Sequence, residues 1–219
     1  MKFAVIDVET TGLDPAVDRV VEIAAVTVEN DNIVSNYQAL VNPGIRIPAT
    51  ASAIHHITDQ DVRDCPTFDE VWRVLYNTII DPSDVLVAHN APFDRSFLPD
   101  TGKRWLDTRR LAQHLYPDAP NYQNQTLRYW LGIDVIADAH HASDDALVTA
   151  MLLIHMLREC QKRGIEDVLS YAESPVNVSV MPFGKYKGER LADVPVSYLG
   201  WLLTTNIDAD LRHSIESLN

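Results

Sequence analysis

Two carboxylates near the start of the chain have the residue types and spacing of a metal site. Asp7 and Glu9 lie within the segment VIDVETTG at residues 5–12, whose apolar pattern predicts a strand. Side chains two residues apart on a strand point to the same face of the sheet. Two like charges about 4 Å apart repel by roughly 4 kcal/mol at an effective dielectric constant of about 20, so the pair favours a bound cation. Oxygen ligands suit a hard divalent ion such as Mg²⁺.

Two further segments place acidic side chains at predicted helix starts. Segment HNAPFD at 89–94 follows an apolar run, predicted to be a buried strand, and puts Asp94 in a first helical turn. Segment HHASDDA at 140–146 puts His140 five residues before Asp145. Singly, each aspartate has an ordinary explanation, because an acidic residue in the first turn stabilises a helix by about 0.3–1 kcal/mol. Asp7 and Glu9 could likewise face water at a strand end.

Taken in this order, the segments resemble the motifs of the DEDDh (DnaQ-like) family of 3′→5′ exonucleases. The family motifs Asp-x-Glu, Asn-x-x-x-Asp and His-x-x-x-x-Asp correspond to Asp7 and Glu9, Asn90 and Asp94, and His140 and Asp145. The resemblance covers roughly residues 1–165. It implies a ribonuclease-H-like α/β fold, with a mixed five-stranded sheet flanked by helices.

The resemblance also implies a metal-dependent mechanism. Four carboxylates would converge on one pocket, those of Asp7, Glu9, Asp94 and Asp145. They would hold two Mg²⁺ or Mn²⁺ ions, with Asp7 bridging both and Asp94 holding metal-bound water; such pairs of ions, about 3.5–4 Å apart, stabilise the attacking and leaving oxygens. His140 would be the general base, because an unperturbed histidine pKa of about 6.5 suits proton abstraction near neutrality. His141 is the alternative base, and the family spacing to Asp145 favours His140.

Six residues are candidate substrate contacts by the same resemblance: Thr10, Thr11, Gly12, Leu13, His55 and Asn90. The backbone from Thr10 to Gly12 would hydrogen-bond near the terminal 3′-hydroxyl. Leu13 could wedge against the terminal base or be an ordinary semi-buried loop residue. His55 belongs to IHHIT at 54–58, which resembles another segment of the family. Asn90 could contact the strand or cap the following helix.

The elements that would position these residues are strands first and helices later. Strands are predicted at 3–8, 19–29 and 33–41, with turn residues at 30–32, so the chain opens with an antiparallel meander. Thr67 and Glu70 form a capping-box pattern before residues at helical spacing. Further helices are predicted near Pro92, between Trp105 and Pro117, from a Thr126 cap to Gly132 and from a Ser143 cap to Gly164.

The 219 residues are 46% hydrophobic and 22% charged, which allows one medium domain and one small domain. We expect an exonuclease domain at 1–170 and a small module at 176–219. No apolar run approaches the length of a membrane span, and the N-terminal segment does not read as a signal peptide, so we expect no membrane partner and a cytoplasmic location. Cys65 and Cys160 lack metal-ligand spacing and are predicted to be reduced thiols.

The segment 176–219 has a separate pattern. It contains MPFGKYKG at 181–188, DVP at 193–195 and YLGWL at 198–202. It resembles a small C-terminal module of exodeoxyribonuclease X-like proteins, so the whole chain is similar to that group. Tyr198, Trp201 and Leu202 are predicted to form a small core. The basic, aromatic turn could contact a nucleic-acid backbone, with Tyr186 as a stacking face, or could be a structural hairpin.

The net charge of −13 argues against a generic nucleic-acid binder, but bound metal ions supply local positive charge. The sequence therefore predicts a metal-dependent exonuclease that acts on 3′ ends of single-stranded DNA and duplex DNA, releases nucleoside 5′-monophosphates and serves DNA repair. The alternatives are a polymerase proofreading subunit, an RNA-trimming exonuclease and a noncatalytic nucleic-acid-binding protein on the same scaffold. Homodimerisation is a further family expectation, for which the sequence shows no interface.

Overall fold

The computed structural model describes residues 1–134 and 142–218. The chain divides into two compact units, Met1–Ala172 and Glu173–Asn219. A five-stranded sheet in the order β3-β2-β1-β4-β5 runs through the first unit. Its strands are β1 (Lys2–Thr10), β2 (Val20–Glu29), β3 (Asn32–Leu40), β4 (Val85–Ala88) and β5 (Arg104–Asp107). β1 pairs antiparallel with β2 and parallel with β4, so the predicted mixed sheet is confirmed.

Helices cover both faces of this sheet. They are α1 (Ala49–His55), α2 (Asp59–Val62), α3 (Phe68–Leu75), α4 (Ala91–Phe97), α5 (Thr108–Leu115), α6 (Asn124–Trp130), α7 (Ala142–Lys162) and α8 (Val168–Glu173), with a π-helical turn at Tyr76–Ile80. Alternation along β1 divides the core in two. Phe3 and Val5 pack with α7, whereas Ala4 and Ile6 pack with α3 on the opposite face. Asp7 and Glu9 continue the first of these rows, so they point toward the face that α7 covers.

Two predicted helix caps are wrong, and tertiary contacts explain why. α6 begins at Asn124, so Thr126 lies inside the helix. Its first residue instead bonds α7, because Asn124 Nδ2 donates to Thr149 Oγ1 at 3.0 Å. α7 already includes Ala142, so Ser143 lies within its first turn. The Ala142 N–H donates to a buried carboxylate of β2, which satisfies a group that a local cap would otherwise serve.

The predicted start of α3 agrees with the structure, whereas the strand β5 was not predicted. The capping box before α3 is confirmed, since Glu70 Oε2 accepts from the Thr67 N–H at 2.9 Å. Residues 104–107, predicted only to lead into a helix, form the short edge strand β5. Within residues 1–134 and 142–218, no helix combines the length and apolarity that a membrane crossing needs.

The second unit contains a 3₁₀ turn at Leu191–Asp193, α9 (Val196–Leu203) and α10 (Ala209–Glu216). Its core consists of Met181, Leu191, Val194, Leu199, Leu202, Leu211 and Ile215. Tyr198 packs partly against this core, in line with the sequence expectation. Trp201 does not join it, because 55% of its surface is exposed.

Candidate metal centre and active site

Three carboxylates meet where the end of β1 faces the start of α7. Asp7 and Glu9 come from the strand and Asp145 from the first turn of the helix. One ligand oxygen from each of the three lies within 4.8 Å of the other two. All three side chains are partly buried. Like charges this close are costly unless protons or a cation neutralise them, so the geometry matches the chemistry of a divalent-metal site.

Asp94 approaches the same strand from the start of α4 and is only 3% exposed. β4 pairs with β1 only through Val5, so the Val8 N–H beyond that point has no strand partner on this side. Asp94 Oδ1 accepts from this N–H at 3.2 Å. The structure therefore brings Asp94 to β1 beside Asp7, although it lies outside the three-carboxylate group.

Burial and mutual repulsion shift the acidity of the cluster. Burial, followed by the charges of Asp94 and Asp145, raises the pKa of Asp7 well above its usual range. Burial, with Asp145 and Glu22 beside it, raises the pKa of Glu9 to about 7. Burial raises the pKa of Asp94 to about 8. The metal-free cluster thus holds protons near neutral pH, and a divalent cation would displace them.

Glu22 is a buried acid that the sequence analysis missed. It lies opposite Glu9 in the β1–β2 register and is 2% exposed. Its Oε1 accepts from Gln38 Nε2 at 2.6 Å, and its Oε2 accepts from the Ala142 N–H at 3.0 Å. The available signal was a lone acid inside the apolar run VVEIAAVTV of β2.

Two amides of α6 were also missed. Gln125 Nε2 donates to Asp145 Oδ1 at 3.2 Å, and Asn124 Nδ2 donates to the Asp145 main-chain oxygen at the same distance. These contacts fix both the side chain and the backbone of Asp145. No sequence pattern marks them, because uncharged amides at the start of a helix are common.

The turn after β1 is built around Asp18. Thr11 Oγ1 donates to Asp18 Oδ1 at 3.0 Å, while Thr10 Oγ1 donates to the Gly12 carbonyl at 2.6 Å. A Cβ at Gly12 would overlap the Asp18 carboxylate, so a side chain here would displace the carboxylate from its bonds to Thr11 and Asp14. Leu13 is 82% exposed. The expectation of a semi-buried loop residue is therefore wrong for Leu13, and its role as a wedge stays a prediction.

His55 is 1% exposed at the end of α1. Its Nδ1 accepts from the Ile57 N–H at 3.0 Å, so the neutral ring carries its proton on Nε2. Burial lowers the pKa of His55, which favours this neutral form. Among residues 1–134 and 142–218, Nε2 finds no hydrogen-bond partner. A buried, unused donor is costly and fits a ligand oxygen.

Asn90 precedes α4 with a φ of 71° and is exposed. Asn90 occupies the predicted N-cap position of α4, and its main-chain oxygen accepts from the Phe93 N–H at 3.0 Å, but its side chain makes no capping hydrogen bond. Its Oδ1 instead accepts from Arg109 Nη1 at 3.3 Å. The two candidate bases, His140 and His141, lie outside the described residues, and both assignments stay predictions.

Comparison with known proteins places the chain in a family. The family model described as "Exonuclease" (RNase_T) matches residues 4–153. Exodeoxyribonuclease 10 of Escherichia coli K12 is 34% identical and aligns over 97% of this chain and 98% of that protein. DNA polymerase III subunit epsilon of Treponema pallidum is 35% identical, over 79% of this chain and 84% of that protein. The chain belongs to the exonuclease family, and the predicted family resemblance is confirmed.

Other relatives are much longer than this chain. The PolC-type DNA polymerase III of Caldanaerobacter subterraneus is 37% identical over 76% of this chain, which spans 12% of that protein's length. A second family model, named for a quorum-sensing-regulated virulence factor, matches residues 175–206.

Solved structures agree with the family and the fold. Exonuclease X in complex with 5′ overhanging duplex DNA has a TM-score of 0.67 and 34% identity, covering 78% of this chain and 99% of that chain. The nuclease domain of 3′hExo, a DEDDh family member bound to rAMP, has a TM-score of 0.63 at 20% identity and covers 72% of this chain and 92% of that chain. The predicted ribonuclease-H-like α/β fold is therefore confirmed.

Proposed function

We propose that this chain is a metal-dependent 3′→5′ exonuclease that hydrolyses phosphodiester bonds of DNA and releases nucleoside 5′-monophosphates. The observation that carries the proposal is the convergence of Asp7, Glu9 and Asp145 within 4.8 Å, at one edge of an exonuclease-family fold. The similarity to Exodeoxyribonuclease 10 along nearly the whole chain supports DNA as the substrate. The complex of Exonuclease X with duplex DNA supports it further.

We propose that the site holds a pair of Mg²⁺ or Mn²⁺ ions, which the group of three carboxylates supports. Its donors are all carboxylate oxygens, and hard divalent cations prefer such ligands. Asp7, Glu9 and Asp145 would hold one ion, Asp7 would reach the second, and Asp94 would hold a coordinated water. When bound, two divalent ions would stabilise the charge on the attacking and leaving oxygens of the phosphodiester.

The protein's own residues would then move a proton and hold the strand end. His140 would accept the proton of the attacking water, with His141 as the alternative base. The main chain from Thr10 to Gly12 would bind near the terminal 3′-hydroxyl, and Leu13, fully available at the surface, would pack against the terminal base.

His55 and Asn90 would add polar contacts to the strand. The free Nε2–H of His55 would donate to a substrate oxygen, because it is buried and otherwise unused. Asn90 would present its amide from the exposed start of α4. None of these proposed contacts is a hydrogen bond to a base edge, which is consistent with sequence-independent digestion.

The direct test follows a 5′-labelled single-stranded DNA in the presence of Mg²⁺. The wild type is expected to shorten it progressively from the 3′ end, and Asp7→Asn is expected to stop this. The exposed Asp64→Asn variant, which removes the same charge outside the site, is the matched control. Shortening from the 5′ end, or unchanged digestion in excess chelator, would rule the proposal out.

One further role has a specific observation in its favour. The similarity to DNA polymerase III subunit epsilon of Treponema pallidum favours a polymerase proofreading subunit with the same chemistry. Comparison of rates on matched and mismatched 3′ termini would distinguish it, since a proofreading enzyme prefers the mismatch. A parallel RNA substrate tests RNA trimming. A role in DNA repair, a cytoplasmic location and a homodimer complete the proposal from the family resemblance.

A further inference from the structure

The second unit presents cations and aromatic rings together at its surface. We name as the tail patch the residues Phe183, Lys185, Tyr186, Lys187 and Trp201. Both lysines are exposed, and 42% of Phe183 and 55% of Trp201 are exposed. Lys185 Nζ lies 5.1 Å from the centroid of the Tyr186 ring. The second unit therefore offers exposed ring surface and positive charge on the same turn and the neighbouring helix.

Contacts between the turn at 183–188 and α9 hold the residues of the tail patch in place. Gly184 has a φ of 77°, and a Cβ there would lie 2.6 Å from the Tyr198 hydroxyl, so the turn sits directly against α9. The Gly188 N–H donates to the Met181 carbonyl at 2.9 Å and closes the turn. Tyr198 links the two segments, with its ring centroid 4.8 Å from that of Tyr186 and 5.4 Å from that of Trp201.

We propose that the tail patch binds a single strand of nucleic acid. Lysines beside stackable rings are the groups that bind phosphates and bases without sequence preference. Lys185 and Lys187 place two positive charges on one turn of a chain whose net charge is −13. The inference rests on the proposed exonuclease function, since a tethered second contact would raise the effective concentration of substrate.

The test measures binding of a long, fluorescent oligothymidylate to the full chain in EDTA, where no digestion occurs. Lys185→Gln/Lys187→Gln is compared with Arg158→Gln/Lys162→Gln on α7, which removes the same charge from side chains that are 57% and 74% exposed. We expect about tenfold weaker binding for the tail variant, and a slope of log affinity against log salt reduced by about 1.4 for two lost phosphate contacts. Trp201→Ala is expected to weaken binding by about tenfold through lost stacking.

Each other outcome overturns the inference. An equal loss in both charge variants would mean that net charge alone acts, and wild-type binding by the tail variant would exclude the surface. If the tail variant bound phosphatidylglycerol vesicles more weakly than the wild type but bound oligothymidylate equally well, the tail patch would be assigned to a membrane surface. Digestion of the same oligothymidylate by the wild type in Mg²⁺ is scored separately, so failure of the proposed function is distinguishable.

A different observation, in the first unit, independently concerns Glu22. Its buried carboxylate joins three elements, since it belongs to β2, accepts from Gln38 of β3 and accepts from the first N–H of α7. Asp145 lies three residues further along α7. Glu22 lies outside the group of three carboxylates whose oxygens lie within 4.8 Å of one another.

The geometry points to Glu22 as a positioning residue for the metal centre, which rests on the proposed function. Glu22 fixes the first turn of α7 from one side, and Gln125 holds Asp145 Oδ1 from the other. Asp145 is thereby held against Asp7 and Glu9 before any ion arrives. Groups that orient metal ligands in this way typically change metal affinity about 10–100-fold when they are removed.

Two variants separate reach from charge. Glu22→Gln keeps the reach and loses the charge, and it can still accept from Ala142 once the Gln38 amide flips. Glu22→Asp keeps the charge and shortens the side chain. By calorimetric Mn²⁺ titration without substrate, we expect Glu22→Gln to bind within about threefold of the wild type and Glu22→Asp to bind at least about tenfold more weakly.

Weaker Mn²⁺ binding by Glu22→Gln than by Glu22→Asp would assign Glu22 an electrostatic role and overturn the inference. The inference would also fail if Glu22→Gln lost Mn²⁺ affinity, or if Glu22→Asp kept the affinity of the wild type. Far-ultraviolet circular dichroism confirms that both variants are folded. Absence of Mn²⁺ binding by the wild type would instead refute the proposed function.

Discussion

The proposed metal centre of the first unit and the tail patch of the second would bind phosphate in opposite ways. The first gathers partly or fully buried carboxylates that raise one another's pKa values. The second displays lysines and aromatic rings in water. The carboxylates require protons or a cation to neutralise their repulsion, whereas the lysines are exposed, with Lys185 over the Tyr186 ring. An acidic chain can therefore handle nucleic acid at a metal centre and still use a few direct cationic contacts.

The first prediction breaks the metal centre. Asp7→Asn should reduce digestion by about a thousandfold, because lost metal coordination costs several kcal/mol of transition-state stabilisation. The same substitution should raise the melting temperature of the metal-free protein, because it removes a charge from a self-repelling cluster. Digestion rates and thermal unfolding in EDTA measure both effects. A large loss of activity accompanied by destabilisation would indicate a structural role instead.

The second prediction concerns the buried Nε2 of His55, which meets no geometric hydrogen-bond partner in the described part of the chain and lies near the backbone of Thr10. His55→Gln can place an amide N–H near the position of Nε2, whereas His55→Asn can replace the acceptor Nδ1 but not the donor. We expect about tenfold weaker binding of the DNA 3′ end by the Asn variant, since one hydrogen bond to a charged group contributes about 1.5–3 kcal/mol. Binding in Ca²⁺ without turnover provides the measurement. Equal binding by both variants would remove His55 from the substrate contacts.

The third prediction uses pH to distinguish the two surfaces. The folded, metal-free protein holds protons on Glu9 up to about pH 7 and on Asp94 up to about pH 8, whereas the unfolded chain releases them near 4.5 and 3.8. Burial lowers the pKa values of His55, His89 and His155, which opposes this trend at lower pH, but these histidines are largely neutral in both states above about pH 7. The free energy of unfolding should therefore fall as pH rises from about 7 to 8, where Glu9 and Asp94 still hold protons in the folded state. Carboxylates whose pKa values are lowered in the folded protein, such as Asp61 and Glu70, are ionised in both states throughout this pH range. They therefore add no pH dependence to the free energy of unfolding there.

Saturating Mg²⁺ should replace the protons on Glu9 and Asp94 and so reduce the fall in the free energy of unfolding with rising pH. The Lys185→Gln/Lys187→Gln variant should show the same fall as the wild type. Melting temperatures at several pH values, with and without Mg²⁺, make the comparison. A metal-free melting temperature that rises steadily toward pH 8 would contradict the assigned pKa shifts.

The smallest effect is expected at Leu13. Because its side chain is 82% exposed, Leu13→Ala should change the free energy of unfolding by less than about 0.5 kcal/mol. A wedge role predicts a several-fold loss of digestion with duplex ends, and Val17→Ala, at 63% exposure, is the matched control. Equal rates for both variants on duplex ends would leave Leu13 as an ordinary exposed loop residue.

The sequence predicted residues whose signals are local. Asp7 and Glu9 end a strand, and Asp94 and Asp145 begin helices, so the periodicity of each element places them without tertiary information. Glu22 and Gln125 could not be found this way. Their roles depend on contacts across 120 residues with Ala142 and across 20 residues with Asp145.

The same difference explains the errors at helix starts. The capping box at Thr67 and Glu70 is self-contained, and the structure has it as predicted. α6 begins at Asn124, whose side chain bonds Thr149 of α7, and the first N–H of α7 bonds the buried Glu22 of β2. Thr126 and Ser143 satisfied the local rule for a cap, and tertiary hydrogen bonds overrode it.

The most direct test of the metal centre is a crystal structure of the wild type soaked with Mn²⁺, read in an anomalous difference map. The account predicts that the strongest anomalous peak contacts carboxylate oxygens of Asp7, Glu9 and Asp145, and that it disappears in Asp7→Asn crystals. A saturated crystal with no peak among these three side chains, or with its strongest peak elsewhere on the protein, would contradict it.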